Sequence, residues 1–73
     1  MSNEKFKKLA IARVNKALNT IRLIGNLSNK SHYTYSDDEA RKIIISLENE
    51  IKALRNKFRI NQRNNIKKGF NFD

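Results

Sequence analysis

Between residues 40 and 58 the apolar side chains Ala40, Ile44, Leu47, Ile51, Leu54 and Phe58 recur at intervals of four, three, four, three and four. A strand alternates its side chains between two faces, so this spacing cannot line one face of a sheet. On a helix of 3.6 residues per turn it draws a single narrow stripe. Such a stripe is the seam of a coiled coil, which calls for helix-on-helix packing.

A start signal stands immediately before the seam. Ser36-Asp37-Asp38-Glu39 has the form of a capping box, in which Ser36 accepts from the Glu39 amide and Glu39 reaches back to the Ser36 amide. Three carboxylates in the first turn also suit the positive end of the helix dipole. Asp37 with Arg41, Asp38 with Lys42 and Glu48 with Lys52 are i,i+4 pairs in the favourable order. The spacing predicts a helix over 36–60, fraying toward Asn64. Ile45 falls on its outer side, where it would anchor any partner lying across that face.

An earlier segment carries a broader apolar face. Phe6, Ala10, Val14, Ala17, Ile21 and Ile24 share one side at 100° per residue, and Leu9, Leu18 and Ile11 widen it to roughly 200°. This predicts a helix over 3–24. Gly25, one of only two glycines in a chain without proline, is placed for a left-handed C-terminal cap, the alternative being a helix that runs on to Ser28. The expected architecture is all-α: an antiparallel two-helix hairpin over 1–60, coiled-coil-like, with a loop over 25–35. Residues 61–73 form a basic, partly flexible tail.

A chain of 73 residues makes a marginal core and usually needs a staple. The absence of cysteine removes disulfides and thiolate metal sites, and His32 is the only histidine. Association remains. The wide face of the first helix exceeds what a narrow seam covers, so a homo-oligomer or a partner-bound state is expected, for instance a dimeric four-helix bundle.

Charge points to the partner. Sixteen Lys and Arg oppose seven Asp and Glu, for a net +9. Residues 1–24 carry six bases and one acid, 25–54 four bases and five acids, and 55–73 six bases and one acid. Codon bias in an AT-rich genome raises lysine and asparagine counts, but it does not segregate charge. In an antiparallel hairpin both basic blocks meet at the open end, as phosphate binding with counterion release requires. The expected nucleic-acid-binding residues are Lys5, Lys7, Lys8, Arg55, Arg59, Arg63, Lys67 and Lys68. RNA or a ribonucleoprotein stands ahead of DNA. The alternative is a non-catalytic protein-interaction module, inhibitor or accessory subunit that docks on a larger assembly, such as a mobile element encodes. A solvated basic surface with no ligand is the plain reading of the same charge.

Aromatic residues add candidates for partner binding. Tyr33 and Tyr35 flank Thr34 in the loop, so both rings point one way in an extended loop and either stack on bases or plug the loop end. Tyr35, next to the N-cap, suits packing toward Ala40, while both roles stay open for Tyr33. Phe70 and Phe72 lie on one side of an extended tail, as a short hook for a protein groove would. No nucleophile with a base, Gly-rich phosphate loop or metal-ligand spacing is present, so neither an enzyme nor a cofactor is expected. The acidic trio at 37–39 is accounted for by capping. No signal-like or membrane-spanning run occurs, so a cytoplasmic, non-membrane protein is expected.

Overall fold

A computed structural model describes the backbone of residues 3–71 and the side chains of residues 3–62. It is all-α: helix α1 spans Asn3–Asn26 and helix α2 spans Asp37–Asn71, with no strand among the described residues. This is the two-helix, one-loop composition expected of the sequence. The chain divides into two units, Met1–Tyr35 and Ser36–Asp73. No helix among the described residues is long and apolar enough to cross a membrane.

In the first unit, α1 ends by tightening. The Leu27 amide donates to the Ile24 carbonyl and the Ser28 amide to the Gly25 carbonyl, both at 3.0 Å. These i→i−3 bonds occupy carbonyls that a helix end otherwise leaves open. The expected left-handed cap at Gly25 is therefore corrected. Gly25 lies inside α1, and no glycine of positive φ occurs among the described residues. A second turn follows directly. The amides of His32 and Tyr33 donate to the Asn29 carbonyl at 3.1 and 3.0 Å, and the Ser31 amide donates to Asn29 Oδ1 at 2.9 Å. Asparagine holds such turns because its short side chain bonds backbone two residues on.

In the second unit the capping box forms as read. The Glu39 amide donates to Ser36 Oγ at 3.0 Å, and the Ser36 amide donates to Glu39 Oε1 at 2.8 Å. Two amides without helical partners are thus satisfied reciprocally. The first i→i−4 bond, from the Ala40 amide to the Ser36 carbonyl, follows at 3.1 Å. Asp38 pairs with Lys42 at 3.4 Å as expected, and Arg41 reaches Asp38 at 3.3 Å rather than Asp37. Glu48 and Lys52 make no ion pair among the described residues.

The far end of α2 is the main departure from expectation. The helix does not stop near Ile60; it continues to Asn71, so the segment expected as a tail is helical as far as the backbone is described. The physical reason is the absence of a stop. Residues 59–68 contain no proline or glycine and are mostly Arg, Lys, Gln and Asn, while Gly69 alone costs only about 1 kcal/mol in a helix. The Asn61 side chain donates to the Lys57 carbonyl at 2.8 Å, within the helix instead of ending it.

Neither unit contains a fully buried residue among those described. Ala10, Ile24 and Tyr35 in the first unit and Ala40 and Leu47 in the second are half-buried. Along the seam, Ile44 is 53 %, Ile51 48 %, Leu54 48 % and Phe58 50 % exposed. Phe6, Ile11 and Val14 of α1 are likewise exposed. Local bonding holds these helices, and their apolar faces stay available.

Two substitutions test the local contributions to the two helices. Ser36→Ala should weaken α2 by roughly 1 kcal/mol, as loss of an N-cap does. Gly25→Ala should strengthen α1 by about 0.5–1 kcal/mol, since a Cβ there meets nothing within 4 Å. Helicity followed by circular dichroism through thermal melts should move in opposite directions for the two variants.

Candidate nucleic-acid interface

Each cation's place follows from the helix that carries it. On α1, Lys5 and Lys8 stand three residues apart on the polar side, and Lys16, eleven residues beyond Lys5, returns to the same side. Lys7 projects elsewhere, at the border of the apolar face near Ile11 and Val14. The trio Lys5, Lys7 and Lys8 is thus split between two sides of one helix. All three are exposed.

The continuation of α2 changes what its bases can do. Positions 55, 59, 63 and 67 follow one another at intervals of four along the helical backbone, so Arg55 and Arg59 open a basic ridge whose continuation at Arg63 and Lys67 lies outside the described side chains. Lys52, seven residues before Arg59, extends it. The ridge is roughly 22 Å long at 1.5 Å per residue, and from Ile51 to Asn71 the sequence holds no acid at all. It begins beside the apolar seam at Arg55 and has turned away from the seam by Arg59. Lys57 does not join it: at 100° per residue it falls on the other flank. The side chain of Lys68 lies outside those described.

Lys16 and Lys52 were missed because a count by sequence block groups neighbours in the chain, whereas a helix groups residues three, four, seven and eleven apart. The signal was the helical spacing itself, eleven residues from Lys5 to Lys16 and seven from Lys52 to Arg59. Among the described residues the only ion-paired cations are Arg41 and Lys42, both on Asp38. Lys52, Arg55 and Arg59 make no ion pair there. Charge that is not neutralised within the chain is what a polyanion needs.

The loop divides the roles of its two tyrosines. Tyr35 is engaged: its hydroxyl donates to the Ser28 carbonyl at 2.7 Å, and Lys30 Nζ sits 5.0 Å from its ring centroid. A cation so placed is attracted by the negative face of the ring. Tyr33 is 48 % exposed and meets His32 edge-on, ring centroids 6.3 Å apart. Tyr33 therefore presents an aromatic surface, while Tyr35 closes the loop.

The other partner-binding candidates separate as well. Ile45 is exposed on α2. Phe70 lies in the helical backbone of α2, which corrects the extended backbone expected at that position. Phe72 lies outside the described residues. Among the described residues no group of three His, Cys, Asp or Glu is arranged to hold a metal ion. No family model, curated protein or solved structure matches the chain.

The loop assignment makes a prediction about order. Tyr35→Phe removes one hydroxyl donor at a net cost of about 0.5–1.5 kcal/mol. Amide hydrogen exchange over residues 27–33 should quicken in that variant and stay unchanged in Tyr33→Ala. Equal quickening in both would assign the packing role to both rings.

Proposed function

We propose that the chain is a small, non-catalytic nucleic-acid-associated protein that holds phosphates along the basic ridge of α2. The observation that carries this reading is the run of Lys52, Arg55 and Arg59 along α2, continued in sequence by Arg63 and Lys67, with no carboxylate from Ile51 to Asn71 and Glu48 one turn before Lys52. Basic residues clustered along a helix are the electrostatic footprint of nucleic-acid binding. Lys5, Lys7, Lys8 and Lys68 supply further positive charge. Phosphate contacts fix position and carry no base information, so the ridge binds with little sequence preference. Tyr33, exposed beside His32, offers a stacking surface for an unpaired base, which places single-stranded RNA ahead of duplex DNA.

The open seam favours a second reading: a helical interaction module that docks on a larger protein or ribonucleoprotein assembly in the cytoplasm. A half-exposed row of Ile, Leu and Phe is a helix-in-groove ligand in its own right. In this reading Ile45 and the seam residues matter and the ridge serves solubility.

Salt dependence separates the two. Binding to a single-stranded or duplex oligonucleotide, read by fluorescence anisotropy, should weaken steeply with salt. Each lost phosphate contact should lower the log–log slope by about 0.7 on single strands or about 0.9 on duplex DNA. Arg59→Ala with Arg63→Ala should reduce both affinity and slope for unrelated sequences alike. Lys30→Ala with Lys42→Ala removes the same charge from the loop and the acidic end of α2 and should do much less. Equal effects would make net charge alone responsible, and no binding at low salt would leave the interaction module.

A further inference from the structure

The seam of α2 is an apolar face in need of an occupant, and the charge pattern of the same helix identifies one. Residues 37–50 hold five acids and two bases, a net −3, whereas residues 51–71 hold seven bases and no acid, a net +7. We infer that α2 pairs in antiparallel orientation with α2 of a second copy of this chain, seam against seam. That orientation lays the acidic half of each helix along the basic half of the other. A parallel pair would set Asp37, Asp38 and Glu39 against themselves and Arg55, Lys57 and Arg59 against themselves. It would also align the two helix dipoles unfavourably.

The spacing agrees. Intervals of four, three, four, three and four read the same in both directions, so an antiparallel copy meets the seam with its own reverse. One register sets Ala40 opposite the second copy's Phe58, Ile44 opposite Leu54 and Leu47 opposite Ile51, small facing large at the ends. A register one heptad away sets Leu47 opposite Phe58 and Ile51 opposite Leu54. It also brings the flanking Glu48 beside Arg55 and Glu50 beside Lys57, the kind of flanking pair that sets partner and orientation in coiled coils. Both registers keep the acidic and basic halves together.

Helix α1 is the weaker occupant on the same grounds. It carries one acid, Glu4, against six bases by Ile24, and cannot neutralise Lys52, Arg55, Lys57 and Arg59. A second α2 engages Arg55 and Lys57 most directly, since these flank the seam, whereas Lys52 and Arg59 lie farther round the helix. The inference stands apart from the proposed function, and its test contains no nucleic acid.

Sedimentation equilibrium of the full chain at low salt should give a dimer at micromolar concentration that weakens as salt is added. Orientation is read by cross-linking, with cysteines introduced into a chain that has none. In an antiparallel pair the two copies of position 44 lie about 15 or about 26 Å apart along the axis, depending on register. Ile44→Cys alone should then resist oxidation or a short bis-maleimide. Mixed with Leu54→Cys or Asn61→Cys it should cross-link, and whichever mixture reacts gives the register. Circular dichroism confirms that each variant stays helical. A monomer under these conditions would return the seam to α1 and overturn the inference. So would cross-linking of Ile44→Cys with itself, which a parallel pair requires, or failure of both mixtures to react.

Discussion

The unbroken helical backbone of α2, from Asp37 to Asn71, is the constraint on which the remaining features depend. One helical period sorts its residues into two series. Intervals of four and three gather Ala40, Ile44, Leu47, Ile51, Leu54 and Phe58 on one side. Intervals of four carry Arg55 and Arg59 away from that side, and positions 63 and 67 continue the interval along the backbone. A break near Ile60 would keep the first series and abolish the second. The apolar and cationic surfaces can act together because the helix continues.

Both helices are held locally. The reciprocal Ser36–Glu39 bonds start α2, Asp38 steadies its first turns through Arg41 and Lys42, and i→i−3 bonds close α1. None of these buries apolar surface. Isolated helices of moderate length are marginal in water, and most helical stability in proteins comes from packing an amphipathic face. The half-exposed seam is therefore a surface whose burial would add to helix stability. A strongly basic chain restricts the choice of partner, since an acidic surface or a phosphate backbone is attracted and another basic surface repelled.

The loop follows the same economy of local bonds. Asn29 organises the turn after α1, and Tyr35 ties the end of the loop back to Ser28 with Lys30 over its ring. That leaves Tyr33 as the aromatic residue with a free face. One ring maintains the loop and the other is offered outward, a division that two similar residues in one short segment do not announce.

By itself the sequence determined the helical class, the capping box, the seam and the segregation of charge. Each rests on interactions between residues one to four positions apart, which sequence spacing states directly. Only the structure decided three further points. Gly25 continues α1, because i→i−3 bonds serve the carbonyls that a left-handed cap would have served. The helix runs past Ile60, because no residue there is costly enough to stop it and small propensities summed over many positions are not legible one at a time. Tyr35 closes the loop and Tyr33 does not, because the partner of a loop side chain depends on where the chain turns. The basic ridge lies between the two kinds of knowledge. Its spacing was written in the sequence, but it became one surface only once the backbone beneath it was helical.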